Sequence, residues 1–193
     1  MRKVIVLEYV SLDGVIQGPG HAGEDPEGGF EAGGWTGPLM PEHARYSTDL
    51  YQTAGALLFG RLTYEIWATY WPTVRDDESE VARAINNLPK YVVSTTLTKL
   101  EWQPSTLIRG DVGEEVAKLK QGAGKPIFVP GSAALAQTLM QNKLVDEFQL
   151  WLHPVVVGRG KRLFREGGPT TPMRLVDSKT TRGGMVLLTY QPQ

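Results

Sequence analysis

Short runs of apolar, mostly β-branched residues alternate along this chain with longer segments in which apolar residues recur every three or four positions. The first pattern is typical of strands and the second of amphipathic helices. The predicted strands are Val4–Val10, Ala56–Phe59, Tyr91–Ser94, Thr106–Ile108, Ile127–Val129 and Phe148–Val157. The predicted helices are Pro41–Thr53, Leu62–Tyr70, Glu78–Asn87, Val112–Gln121 and Ala133–Asn142. This alternation predicts an α/β fold, with helices on both faces of a mostly parallel sheet.

The end of the chain follows a different pattern. Met173–Thr181 and Met185–Tyr190 are strand-like runs joined by Arg182-Gly183-Gly184, a sequence that favours a hairpin turn. We therefore expect an antiparallel C-terminal hairpin on a mostly parallel central sheet. A length of 193 residues with 41% hydrophobic content fits a single domain over 1–193. The glycine-rich stretch 17–38 is a long loop, and such loops often carry function.

Composition argues against several classes of function. Lys and Arg total 20 against 21 Asp and Glu, so the chain lacks the basic field that attracts nucleic acid. The apolar run after Lys3 is interrupted at Glu8, and no stretch has the ~20 apolar residues of a membrane helix. The absence of cysteine fits a reducing compartment, so a cytoplasmic location is expected. His21, His43 and His153 lack metal-ligand spacing, and no metal is predicted.

Three strands run into turns that suit a phosphate group. Gly60-Arg61-Leu62-Thr63 and Gly131-Ser132-Ala133 each lead from a strand into a helix, where small residues and free amides can approach an anion. Ser94-Thr95-Thr96 adds hydroxyl groups at the carboxyl end of a third strand. Each turn taken alone also has an ordinary structural explanation, in packing or capping. Together they predict a dinucleotide held without a Rossmann or P-loop fingerprint, since neither is present.

Several motifs then match a known family in its order along the chain. They are Ser11-Leu12-Asp13-Gly14-Val15-Ile16, Leu58-Phe59-Gly60-Arg61-Leu62-Thr63-Tyr64-Glu65, Tyr91-Val92-Val93-Ser94, Val129-Pro130-Gly131-Ser132-Ala133-Ala134-Leu135, Leu144-Val145-Asp146-Glu147 and Pro154-Val155-Val156-Val157-Gly158-Arg159-Gly160. On these motifs the chain resembles the dihydrofolate reductase superfamily, and within it the reductase domain of the bifunctional deaminase-reductases of riboflavin biosynthesis. The resemblance implies a dihydrofolate reductase-like three-layer αβα fold.

The resemblance also implies NADPH as cofactor and assigns its contacts by position. The phosphates and the adenosine ribose would lie against Gly60, Arg61, Thr63, Ser94, Thr95, Thr96, Gly131, Ser132 and Ala133. The nicotinamide would rest beside Tyr9, Val10, Ile16 and Gln17. Arg61 and the hydroxyl cluster suit a doubly charged 2'-phosphate. Many folate reductases carry a second Arg near the position of Ala134, and this chain does not.

Residues for catalysis and substrate binding are harder to assign. Folate reductases place an acid on the first long helix, and here that position falls near Ala44, with Glu42 and His43 adjacent. Glu42, Asp13 and His153 are the candidate catalytic residues, and Asp13, His153 and Trp35 the candidate substrate contacts. Each also has an ordinary structural explanation: Glu42 lies at a helix start, Asp13 in an Asp-Gly turn and His153 at a strand end.

Three functions remain open at this point. The first is an NADPH-dependent reductase of a pyrimidine or pteridine, for which the resemblance suggests the phosphoribosylamino-uracil of riboflavin biosynthesis. The second is a dihydrofolate reductase, and the third a non-catalytic module that binds a nucleotide as a sensor. The resemblance further implies a homodimer.

Overall fold

The computed structural model describes residues 1–75, 77, 79–164, 168 and 170–193. Its strands are β1 (Val4–Ser11), β2 (Ala56–Gly60), β3 (Lys90–Val93), β4 (Ser105–Ile108), β5 (Ile127–Pro130), β6 (Glu147–His153), β7 (Met173–Thr180) and β8 (Val186–Pro192). Its helices are α1 (Met40–Thr53), α2 (Arg61–Tyr70), α3 (Glu80–Asn87), α4 (Val112–Gln121) and α5 (Ala133–Gln141). The predicted alternation of strands and helices is confirmed.

The strands form one sheet in the order β4-β3-β2-β5-β1-β6-β8-β7. The pairs from β4 to β6 are parallel, whereas β8 runs antiparallel to both β6 and β7. The predicted antiparallel hairpin is therefore present at one edge. Since the parallel strands point the same way, the turns after β1, β2, β3 and β5 meet at one edge of the sheet.

Apolar side chains cover both faces of the central strands. On one face, Val4 and Val6 of β1 pack with Val116 of α4 and Leu139 of α5. On the other face, Ile5 and Leu7 of β1 pack with residues of α1, α2 and α3, among them Tyr51, Tyr64 and Ile85. The strand β1 is buried on both sides because it lies between β5 and β6 in the middle of the sheet. The predicted three-layer arrangement is confirmed.

Most predicted boundaries shift by one or two residues in the structure, and two of the differences have a clear physical reason. The strand expected over Phe148–Val157 ends at His153, because Pro154 has no backbone N–H to donate to a sheet ladder. The helix expected from Glu78 begins on a residue outside the described ones. In the structure α3 begins at Glu80, and the hydroxyl of Ser79 caps it by accepting a hydrogen bond from Ala82 N at 3.2 Å.

The glycine-rich loop is tied down through one side chain. Gln17 donates from Nε2 to the carbonyl oxygens of Asp25 (3.1 Å) and Glu27 (2.9 Å) and accepts at Oε1 from Lys161 N (3.0 Å). Its carbonyl accepts a hydrogen bond from Trp35 Nε1 at 2.8 Å. The ammonium of Lys161 contacts the carboxylates of Asp25 and Glu27, each at 2.6 Å. This network holds the loop over the carboxyl edge of the sheet.

Candidate functional site

A cavity of about 1070 Å³ opens at the carboxyl edge of the sheet, where β1, β2 and β5 end. This volume lies just above the usual range of small-molecule sites, roughly 300–1,000 Å³. Many of the predicted site residues line it: Tyr9, Ile16, Gln17, Gly60, Arg61, Thr63, Gly131, Ser132 and Ala133. Others lie outside the lining: Val10, Asp13, Trp35, Glu42, Ser94, Thr95, Thr96 and His153.

The turns after β2 and β5 are bound to each other across the floor of the cavity. Gly60 N donates to Ser132 Oγ at 3.1 Å, and Thr63 Oγ1 donates to the carbonyl of Gly131 at 2.9 Å. Gly131 has a φ of +60°, and a Cβ there would lie 3.2 Å from Thr63 Cγ2. The turn therefore needs glycine both for its backbone conformation and for the close approach of the two segments.

The helices that begin at these turns lack side-chain caps. No side chain accepts a hydrogen bond from the first amides of α2 or α5, whereas Ser79 and Asp111 cap α3 and α4. Unpaired amides and the helix dipole favour an anion at such a position. Both of these helix starts line the cavity, so the donor set fits a pyrophosphate.

Arg61 is the cation nearest to these turns along the chain. Its Nη1 pairs with Glu65 Oε2 at 2.7 Å, one turn later on α2, and both side chains are about half exposed. Exposed ion pairs of this kind stabilise a protein by only about 0–1 kcal/mol. Arg61 can therefore exchange Glu65 for a bound phosphate at little cost.

The hydroxyl cluster follows β3, next to Gly60 on the neighbouring strand, since Val93 is paired with Gly60. Ser94 Oγ accepts hydrogen bonds from Thr96 N (3.2 Å) and Leu97 N (3.0 Å), so this hydroxyl shapes the turn. Thr95 and Thr96 are exposed. The guanidinium of Arg109 donates to the carbonyl of Thr95 at 3.3 Å, which places a second cation beside the cluster.

A pair of buried histidines lies at the cavity wall, and one of them, His43, lines it. His43 of α1 and His153 of β6 lie 2.6 Å apart, Nε2 to Nε2, and are 2% and 1% exposed. His43 lines the cavity, and its ring packs against Tyr9 with centroids 4.6 Å apart. Burial lowers the pKa of His43 to about 4, helped by the neighbouring His153. Burial also lowers the pKa of His153.

Glu8 of β1 is a carboxyl group in the cavity wall that is only 2% exposed. It alternates with Tyr9 along β1 and so lies on the sheet face shared by Val6 and Val10, the face covered by α5. Its Oε1 has no hydrogen-bond partner among the described residues. Burial raises the pKa of Glu8 well above its usual range, which favours the protonated carboxyl.

Asp13 and Glu42, two of the predicted catalytic residues, hold segments of backbone together. Asp13 accepts from Ser11 Oγ (2.7 Å), Val157 N (3.0 Å) and Gly158 N (2.8 Å), and these bonds lower its pKa to about 2. Glu42 accepts from Gly183 N at 3.0 Å in the turn of the C-terminal hairpin. Both carboxylates are therefore engaged outside the cavity.

The predicted substrate contact Trp35 packs behind the cavity wall. Its ring meets the His153 ring edge-on, with centroids 5.3 Å apart and an interplanar angle of 83°. His153 lies behind His43 as seen from the cavity, because only His43 lines it. Trp35 and His153 thus do not line the cavity themselves. Trp35 packs against His153, and His153 contacts His43, which does line it.

Sequence reasoning did not single out His43, Glu8 or Arg109 as site residues. A signal for His43 was present, because His43, Ser47 and Tyr51 recur at every fourth position and are all buried on α1. Glu8 is equally visible as the one charged residue inside an apolar central strand. Arg109 follows β4, and only the pairing of β4 with β3 brings it beside the hydroxyl cluster, so the sequence carried no signal for it.

Two further observations concern the described residues alone. No helix in that part of the chain is long and apolar enough to cross a membrane. No group of three or more of its His, Asp or Glu side chains is arranged to hold a metal ion.

Comparison with known proteins identifies the family. The sequence model of the RibD C-terminal domain matches residues 2–187. The chain is 32% identical over 195 residues to the uncharacterized protein YyaP of Bacillus subtilis, covering 98% of this chain and 94% of that protein. It is 30% identical over 178 residues to the uncharacterized protein YwjB of the same organism, covering 92% and 91%. The chain therefore belongs to the RibD C-terminal domain family, a reductase-like family.

Solved structures show the same fold at low identity. A protein from Shewanella sp. PV-4, described as a candidate riboflavin biosynthesis protein, has a TM-score of 0.67 at 20% identity and covers 99% of each chain. Dihydrofolate reductase from Enterococcus faecalis, complexed with NADP(H), has a TM-score of 0.60 at 13% identity, covering 99% of this chain and 96% of that one. The resemblance drawn from the sequence motifs and its fold are confirmed.

Proposed function

We propose that this protein is a reductase that binds NADPH and reduces a small planar heterocycle, a pyrimidine or a pteridine. The observation that carries the proposal is the shape of the cavity, which joins two anion-binding turns at Gly60 and Gly131 to a wall of aromatic rings at Tyr9 and His43. A dinucleotide requires the turns, and a planar substrate fits the rings. The family relation suggests the phosphoribosylamino-uracil of riboflavin biosynthesis as the type of substrate.

The cofactor's phosphates would be held by the starts of two helices and by the cations and hydroxyls beside them. The amides at the starts of α2 and α5 would bind the pyrophosphate, with Gly131 leaving room for it. Arg61, the hydroxyls after β3 and Arg109 would meet the 2'-phosphate. Tyr9, Val10, Ile16 and Gln17 would border the nicotinamide. When bound, NADPH supplies the hydride.

The protein's own part is to exclude water and to hold a proton. The loop anchored by Gln17 covers the cavity, and Glu8 is a buried carboxyl in its wall. Reduction of a C=N or C=O bond adds one hydride and one proton, so a protonated group beside the ligand is needed. Glu8 is our candidate for that group because burial favours its protonated form.

A dihydrofolate reductase activity is the weaker alternative. The position of the helix acid in folate reductases falls near Ala44, which lines the cavity with a methyl group. A non-catalytic nucleotide sensor would keep the anion-binding turns, and binding of NADPH without its oxidation by any dihydropteridine, pyrimidine or flavin would favour it. The family relation also supports a cytoplasmic homodimer, and light scattering of the purified protein tests the dimer.

Titration with NADPH and NADH, followed by nicotinamide fluorescence, tests the cofactor. We expect saturable binding with NADPH preferred, and Arg61→Ala should weaken NADPH about tenfold or more while NADH changes little. Arg174→Ala, at an exposed position on the distant strand β7, is the matched control and should leave both affinities unchanged. No saturable binding of either nucleotide refutes the proposal, and equal losses of both in Arg61→Ala remove Arg61 from the 2'-phosphate site.

A further inference from the structure

The histidine pair leaves one nitrogen without a partner. His153 Nδ1 lies 2.7 Å from the carbonyl of Trp151, and His153 Nε2 lies 2.6 Å from His43 Nε2. His43 Nδ1 is buried and has no hydrogen-bond partner among the described residues. Leaving a buried polar group unpaired is unfavourable, and His43 lines the cavity, so the partner of Nδ1 is expected to be a molecule bound there.

The positions of the protons follow from these contacts. The backbone carbonyls of Trp151 and Val10 both accept from the His153 ring, and we assign its proton to Nδ1, which lies 2.7 Å from the carbonyl oxygen of Trp151. In a neutral ring His153 Nε2 is then an acceptor, and the proton of the 2.6 Å bond must belong to His43 Nε2. A neutral His43 consequently has a bare lone pair on Nδ1. The lowered pKa of each ring keeps both neutral near pH 7.

We propose that His43 Nδ1 accepts a hydrogen bond from an N–H or O–H group of the substrate, and that His153 is the positioning residue that holds His43 in this tautomer. This inference rests on the proposed function, because it assigns the ligand of the same cavity. It narrows the substrate to heterocycles that present a donor at their edge, such as the ring N–H of a lactam or imide. Ring systems with only acceptors there would leave two lone pairs facing each other.

The surroundings of the pair support a fixed tautomer. The rings of Tyr9, Trp151 and Trp35 pack around the two imidazoles at centroid distances of 4.6–5.8 Å. Glu42, the carboxylate adjacent to His43 on α1, is bound to the amide of Gly183. Tyr9 OH lies 3.5 Å from Ser47 Oγ, and burial raises its pKa, so it stays neutral. Among the described residues, none of these side chains competes with His153 for His43 Nε2.

The first test reads the tautomers directly and needs no ligand. The chain has three histidines, so 15N-edited imidazole spectra are simple to assign with His21, on the exposed loop, as the internal reference. At pH 7 we expect protons on His43 Nε2 and His153 Nδ1. A proton on His43 Nδ1, or a positively charged His43, overturns the inference.

The second test asks whether the lone pair recognises a donor. Lumazine, which has ring N–H groups, and 1,3-dimethyllumazine, in which both are methylated, are titrated into protein saturated with NADP⁺. We expect lumazine to bind about tenfold more tightly and to shift the His43 Nδ1 resonance. His43→Phe keeps a buried ring and should abolish that preference. Equal binding of the two probes, or binding of neither, overturns the substrate assignment.

The role of His153 is tested by a pair of variants. His153→Gln keeps an oxygen that can accept from His43 Nε2, whereas His153→Leu does not. We expect the glutamine variant to retain the His43 tautomer and the preference for lumazine, and the leucine variant to lose both. Identical behaviour of the two variants refutes the positioning role. NADPH titration of the same samples distinguishes failure of this inference from failure of the proposed function. If the unmodified protein does not bind NADPH, the proposed function is rejected, whereas the imidazole spectra still report the His43 tautomer.

Discussion

Acidification should destabilise this protein through the buried histidine pair. Unfolded chains protonate histidine near pH 6.5, whereas His43 in the folded protein has a pKa of about 4. Between these values the unfolded state binds more protons, so the free energy of unfolding rises with pH and is lost as pH falls from 6.5 toward 4. At 1.36 kcal/mol per pKa unit the upper limit is about 3 kcal/mol. Because His43 borders an open cavity, solvent screens its charge, and we expect a loss of about 2 kcal/mol in the free energy of unfolding.

Urea unfolding at pH 7, 6 and 5, followed by tryptophan fluorescence, measures this loss. The control is the His43→Phe, His153→Leu double variant, which lacks both imidazoles and should show a much flatter dependence on pH. Asp13 does not interfere, because its pKa of about 2 confines its own loss of stability to pH below about 4. Equal pH dependence of the unfolding free energy in the two proteins would refute the reasoning.

Two other substitutions probe the cavity. Glu8→Gln has the same shape but cannot deliver a proton. The turnover of any substrate found should fall at least tenfold, with NADPH affinity unchanged. Unaltered turnover excludes Glu8 as the proton donor. Gly131→Ala adds a Cβ 3.2 Å from Thr63 Cγ2 at a φ of +60°, so its urea midpoint and NADPH affinity should both fall. Gly23→Ala, with a φ of +77° and open space around its Cβ, is the control: it carries the same backbone strain, about 1–2 kcal/mol, and should bind NADPH normally.

The sequence alone was enough to predict the order of strands and helices. Their periodicity is a local property, since each strand must bury alternate residues and each helix one stripe. The turns at Gly60 and Gly131 were recognisable for the same reason, as small residues between a strand and a helix. The end of β6 was misplaced because the apolar run continues past Pro154. The strand ends at His153 because proline has no backbone N–H to donate to the neighbouring strand.

The chemistry of the cavity was decided by tertiary structure. His43 and His153 are 110 positions apart and meet only because α1 packs over β1, beside β6. Asp13 was a candidate catalytic and substrate-binding residue from the sequence, and the fold brings two backbone amides of the 157–158 segment to its carboxylate. Local propensity is set by neighbours within a few residues, whereas proton positions and pKa values depend on burial and on partners that are distant along the chain. The sequence therefore determined the scaffold and the small-residue turns after β2 and β5, and the packing of helices on the sheet decided which polar groups line the cavity.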